Sequence, residues 1–185
     1  MLQQCIVPFV ASEYSDQTPS FPPAFLRAVA TLFRHESSYS NNQADPGGET
    51  RFGISSRQYP DVDIASLTSE EATAIYYRDW WKRYDYSDLP GPIGAKIFDL
   101  AVNIGPDHAA RCLQRALRAC GRMLTEDGLL GSETRKAAAA ANQVALIAAL
   151  RSEAAAYYRI LAAKSATPDD TNREFLRGWL NRAYE

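Results

Sequence analysis

The amino-acid sequence predicts a mainly α-helical chain, on three observations. Apolar residues recur at helical spacing in several long windows, no apolar–polar alternation runs long enough for a substantial strand, and helix-start and helix-stop residues punctuate the chain throughout. With 185 residues, 46% of them apolar and 11% aromatic, the chain can bury the core of one domain, or of one domain with a small appendage.

Residues 1–23 read as a poorly ordered leader that ends in the turn formers Pro19, Pro22 and Pro23. From there Phe25, Leu26, Val29, Leu32 and Phe33 mark the apolar stripe of an amphipathic helix, with Pro22 and Pro23 suited to its first turn. Ser37 to Gly53 is dense in Ser, Asn, Asp, Pro and Gly, with a D-P-G-G turn at Asp45 to Gly48. It reads as an irregular loop or a short β-hairpin lobe. A capping box at Thr68 to Glu71 opens a second helix that runs to about Arg83. After the breaker Leu89-Pro90-Gly91-Pro92, the stretch Ile93 to Ile104 is apolar nearly all round, the pattern of a central buried helix. A helix from about Pro106 to Ala119 is stopped by Gly121. An alanine-rich helical stretch spans Ser132 to Lys164 with a break expected near Asn142, and a last helix covers Thr171 to Tyr184.

Several function classes drop out on composition. Cys5, Cys112 and Cys120 have no metal-ligand spacing, and with only His35 and His108 beside them no zinc site can be assembled. They read as reduced thiols. On one helix Cys112 and Cys120 would stand roughly 12 Å apart, too far for a disulfide. No cofactor or metal is expected. The N-terminus lacks a basic segment, and its apolar stretch is short and contains Pro8, so neither a secretory signal nor stable membrane insertion is expected. Residues 1–110 carry 8 Lys/Arg against 14 Asp/Glu and residues 111–185 carry 12 against 8. A basic half suits an anionic polymer, but it also describes an ordinary solvated helix surface, and no nucleic-acid recognition motif accompanies it.

Glu36 continues the stripe Val29, Leu32, Phe33 to the end of the first helix. There, partial desolvation and the negative end of the helix dipole both disfavour its anion, so its pKa is expected to rise. A carboxylic acid held protonated near neutral pH is what general-acid attack on a glycosidic oxygen needs. Spacing alone leaves open that Glu36 frays into solvent. Asp45 lies on a loop able to fold back over the helix end, and two carboxylates could then flank one bond; an Asp before Pro-Gly-Gly is equally an ordinary turn residue. The Thr50 hydroxyl could hold a water.

The run H-E-S-S-Y-S-N-N-Q-A-D-P-G-G-E-T-R-F-G-I, His35 to Ile54, resembles the signature of glycoside hydrolase family 108. The spacing of Glu36, Asp45 and Thr50 nearly matches that of phage-type lysozymes, one residue short before the threonine. Downstream, L-T-S-E-E-A at 67–72, Tyr77 to Trp81 and F-D-L-A-V-N-I-G at 98–105 resemble the family in order and spacing. L-Q-R-A-L at 113–117, D-G-L-L-G-S-E-T at 127–134 and G-W-L-N-R at 178–182 resemble the peptidoglycan-binding region that follows the catalytic part.

The resemblance implies a lysozyme-like helical fold with residues 24–110 as catalytic region and 111–185 as a helical peptidoglycan-binding region packed on it. It implies an N-acetylmuramidase that cleaves the β-1,4 bond between N-acetylmuramic acid and N-acetylglucosamine, with Glu36 as proton donor and Asp45 and Thr50 as its catalytic partners. Gly53, Asp99 and Asn103 are the implied substrate contacts, and Tyr39 and Phe52 are aromatics able to stack on sugar faces. For Asp99 and Asn103, four apart and so on one helix face, a satisfied polar patch in the core is the alternative. Trp80 and Trp81, aromatic at helical spacing, are assigned to packing. One departure is Ser37-Ser38, where the family has Gly-Gly, which bears on the loop after Glu36. The implied partner is the peptidoglycan glycan strand, met at the cell wall or periplasm by a monomer of bacterial or phage origin. A lytic transglycosylase, or a catalytically silent wall-binding module, would carry many of the same motifs.

Overall fold

The computed structural model describes residues 20–36, 39, 48–164 and 171–185. The side chains of His35, Glu36 and residues 171–174 fall outside that description, as do Asp45, Ser37-Ser38, Cys5 and the expected leader up to residue 19.

Helix α1 spans Pro23–Glu36, with proline at the first helical position, where its missing N–H is no loss. Phe25, Ala28, Val29 and Leu32 are buried along one stripe. Leu26, expected on that stripe, is exposed, because it stands a hundred-degree step away from Phe25 and the small Ala28 fills the seam instead. The expected lobe is a minimal antiparallel hairpin, β1 (Thr50–Arg51) and β2 (Ile54–Ser55), with Thr50 opposite Ser55 and Arg51 opposite Ile54.

Helix α2 (Ser69–Tyr76) starts at the predicted capping box: Glu71 N–H donates to the Thr68 hydroxyl at 3.2 Å, and Thr68 N–H donates to the Glu71 carboxylate at 2.9 Å. These bonds pull the Glu71 pKa below its ordinary value. The α-helix does not continue to Arg83. Tyr77–Lys82 is wound as a π-helix, a wider turn that lodges Trp81 in the core between Phe25 and Phe98 while Trp80 stays half-buried. A short 3₁₀ turn, Tyr86–Asp88, leads into α3 (Gly91–Ile104), the central helix, whose residues Ile93 to Ala101 are buried except for Ala95. Phe98 is the hub of an aromatic cluster with Phe25, Tyr76, Trp81 and Tyr86, at centroid distances of 5.6 to 6.2 Å.

Helix α4 (Pro106–Ala119) closes in a Schellman motif: Gly121, at φ +79°, donates to the Arg118 carbonyl while Arg122 N–H reaches the Leu117 carbonyl, both at 2.9 Å. The expected break in the alanine-rich stretch separates α5 (Ser132–Ala140) from α6 (Gln143–Ala163), and Asn142 caps α6 through its side-chain oxygen, 3.0 Å from Ala145 N. Helix α7 (Thr171–Tyr184) completes the chain. Between α4 and α5 the loop is clasped by Gln114, which donates to the Asp127 carboxylate at 2.7 Å and accepts from Gly128 N–H at 3.0 Å. At Gly128 only glycine serves, since φ is +80° and a Cβ would meet the Asp107 carboxylate.

One continuous apolar cluster runs from α1 through α3 to α4, α6 and α7. Three polar ties reinforce it across the junction. Arg135 on α5 donates to the carbonyls of Tyr84 and Asp85 at 2.9 and 2.6 Å. Tyr158 on α6 donates to the Asn103 side-chain oxygen at 2.6 Å. Arg182 on α7 donates to Asp99 at 3.0 Å, with the Lys96 ammonium 3.7 Å from the other carboxylate oxygen and bonded to the Arg182 carbonyl. Asp99, Arg182 and Lys96 are 6%, 5% and 8% exposed.

Asp99→Asn is therefore expected to cost about 3 to 5 kcal/mol of stability in urea unfolding, because it leaves two buried cations without a countercharge. Asp107→Asn, which breaks an exposed pair with Arg111, is the control and should cost less than about 1 kcal/mol.

Candidate active site

Glu36 is the last residue of α1, one turn beyond Leu32 and Phe33. The sequence alternation that puts Phe33 beside the apolar stripe also aims it at the hairpin: its ring packs on Phe52 at 5.1 Å and on Tyr76 at 6.1 Å. The end of α1 is thereby held against the hairpin turn. The Glu36 carboxylate and Asp45, and with them the separation of the two acids, lie outside the described residues.

The turn itself is under backbone strain. Phe52 and Gly53 both adopt positive φ, 53° and 75°, the requirement of a two-residue hairpin turn whose twist matches its strands. Glycine meets it freely, whereas a phenylalanine there is unusual. Three contacts hold Phe52 in place: the Tyr76 hydroxyl donates to its carbonyl at 2.9 Å, Phe33 packs on its ring, and the Arg51 guanidinium sits 5.6 Å from the ring centroid. Strain that the surroundings over-determine is a mark of functional turns.

The remaining expected site residues fall into two groups. Tyr39 is exposed, and its hydroxyl donates to Glu49 at 2.7 Å, a bond that ties the segment after α1 to the foot of the hairpin. The Thr50 hydroxyl donates to the Gly48 carbonyl at 3.3 Å, so among the described residues its lone pairs are left to accept. With Phe52 and Gly53, these residues share the hairpin lobe. Asp99 and Asn103 are placed differently. Both sit on α3, but Asp99 is buried in its ion pairs with Arg182 and Lys96, and the Asn103 oxygen is bonded to Tyr158. The expectation of a sugar-contacting Asp99 gives way to a structural one: its carboxylate neutralises two buried cations, which hold both oxygens. Asn103 stays exposed beyond its bond to Tyr158.

A recess of about 240 Å³ that sequence reasoning passed over opens beside the hairpin, lined by Gly53, Ile54, Gln58, Tyr59, Tyr76, Trp80 and Val102. The Tyr59 hydroxyl faces the Trp80 indole and the Asp79 carboxylate. Asp79 in turn receives a bidentate pair from Arg78 at 2.6 and 2.7 Å. Burial raises the Tyr59 pKa, and the Arg78 hydrogen bonds lower that of Asp79. Trp80, assigned to packing from its spacing, is thus only half-buried and forms a wall of this recess. The π-helical winding that turns it outward leaves no trace in the hydrophobic pattern.

Against known proteins, residues 29–105 match the glycosyl hydrolase 108 family and residues 108–184 match a family described as a predicted peptidoglycan domain. The chain thus carries a region similar to glycosyl hydrolase 108 followed by a region similar to a peptidoglycan-binding family. A solved structure of Brucella abortus SagA is similar over 86% of this chain and 88% of its own, at 26% identity and a TM-score of 0.67. No curated protein sequence matches the chain. The fold is lysozyme-like, mainly α with one small hairpin, and the pairing of the two matches points to a peptidoglycan hydrolase in the broad class.

Removing the Tyr76 hydroxyl tests how the turn is held. Tyr76→Phe is expected to loosen the hairpin by about 1 kcal/mol, read as roughly fivefold faster hydrogen exchange at the amides of residues 50–55, with little change in α4 or α6.

Proposed function

We propose that this chain is an N-acetylmuramidase that hydrolyses the β-1,4 bond between N-acetylmuramic acid and N-acetylglucosamine, with Glu36 as general acid. One observation carries the reading: the glutamate of the glycosyl hydrolase 108 signature ends α1, where Phe33 docks that helix terminus on the strained hairpin turn. A carboxyl group at the C-terminal end of a helix meets the negative end of the helix dipole, which favours its protonated form.

In this reading Glu36 donates its proton to the glycosidic oxygen as the bond from that oxygen to the anomeric carbon breaks. The positive charge that builds on the sugar ring resembles an oxocarbenium ion. Water adds to the anomeric carbon and gives up a proton to a carboxylate, the part assigned to Asp45 on the loop after α1. Thr50, whose hydroxyl hydrogen is engaged with Gly48, accepts a hydrogen from the same water and orients it. The atoms balance with water alone, so the reaction calls for no cofactor. Tyr39 and the Phe52-Gly53 turn form the wall of the cleft on the hairpin side, and the 108–184 region holds the enzyme at the bacterial cell wall.

Clearing of purified peptidoglycan tests this directly. Wild-type protein should reduce the turbidity of a sacculus suspension, and Glu36→Gln, with an unchanged circular dichroism spectrum, should slow it about 10² to 10⁴-fold. Equal clearing by both would remove Glu36 from the mechanism, and failure of the wild type to clear would overturn the enzymatic reading.

A further inference from the structure

The recess beside the hairpin has the chemistry of a carbohydrate subsite. Its wall is the half-exposed Trp80, which lines the recess together with Tyr59, beside Asp79 and its bidentate partner Arg78. A half-exposed indole at the wall of a recess offers a guest its ring face. Ile54 and Val102 supply an apolar floor, and Tyr76 closes the side nearest α1, its own hydroxyl bonded to Phe52. Gln58 is exposed at the rim, and its side-chain amide makes no hydrogen bond among the described residues.

An aromatic face, a small apolar floor and one free amide suit a 2-acetamido pyranose better than a purely apolar guest. The C–H face of the sugar lies on the indole, the acetamido methyl meets Ile54 and Val102, and the acetamido N–H and carbonyl match the donor and acceptor of Gln58. The location agrees: Gly53 lines the recess, and Tyr76 bridges it to Phe33, three residues before Glu36. A glycan strand with one sugar seated here would pass the end of α1.

We infer that Trp80, Tyr59 and Gln58 form a subsite for an N-acetylhexosamine ring of the glycan strand, flanking the bond attacked at Glu36. The inference rests on the muramidase reading, but its test is separable, because binding can be read on a chain that does not cleave. The full-length Glu36→Gln protein is titrated calorimetrically with the β-1,4-linked tetramer of N-acetylglucosamine. Trp80→Ala in that background should weaken binding about tenfold and Trp80→Phe two- to threefold. Gln58→Ala, at an exposed position where folding is not at stake, should weaken it about threefold. In the wild-type background the same Gln58 change should raise KM more than it lowers kcat. Undiminished affinity in Gln58→Ala and Trp80→Phe, or no binding of the tetramer by the parent protein, would overturn the subsite. Loss of binding in Trp80→Ala with retained binding in both milder variants would mark the residue as structural and would equally overturn it. Failure of wild-type protein to clear peptidoglycan while the tetramer still binds through these residues would sink the muramidase reading and not the subsite.

Discussion

A carboxylate buried between two buried cations holds the molecule together. Asp99 stands on the central helix, inside the region that matches the glycosyl hydrolase family, while Arg182 stands on the last helix, at the far end of the region that matches the peptidoglycan family. Lys96 completes the group by bonding to the Arg182 carbonyl. Such a cluster adds little net stability over apolar packing, but it tolerates no misalignment, since a slipped α7 would strand charges in the core. With Arg135 gripping the carbonyls of Tyr84 and Asp85, and Tyr158 gripping Asn103, the second region is built into the first. Under the proposed function, cell-wall binding by residues 108–184 would be coupled through α3 to the region that carries Glu36.

The core is connected to the end of α1 through rings. Phe98 on α3 touches Phe25 and Tyr76, Tyr76 touches Phe33, and Phe33 touches Phe52. The path leads from the core to a turn whose positive φ at Phe52 is sustained only because its carbonyl, its ring and its neighbouring Arg51 are all engaged. Under the proposed mechanism such an anchor matters, because general-acid chemistry is sensitive to displacements of about an ångström.

The features legible in the sequence are those encoded locally. The capping box at Thr68, the glycine stop at Gly121, the break at Asn142 and the boundaries of α3 and α4 all follow from residues a few positions apart, and the structure carries each of them. The ordered motifs gave the family because order along the chain is itself information. What could not be read depends on partners distant in sequence. The burial of Asp99 needed Arg182, 83 residues on, and neither residue signals the other. The outward turn of Trp80 depends on a π-helix at Tyr77–Lys82, which obeys no hydrophobic period, and the wall it forms needed Tyr59 and Val102 from separate elements. Leu26 failed for a smaller reason: an alanine at the right angle outcompetes a leucine at the wrong one.

The central claim is that a glutamate at the end of α1 directs water, and not a hydroxyl of the sugar itself, to the anomeric carbon. Mass spectrometry of the soluble fragments released from peptidoglycan decides between the two. Hydrolysis predicts fragments that end in reducing N-acetylmuramic acid, one water heavier than the alternative and labelled when the digest is run in ¹⁸O water. Fragments ending in 1,6-anhydro-N-acetylmuramic acid, with no label incorporated, would contradict it.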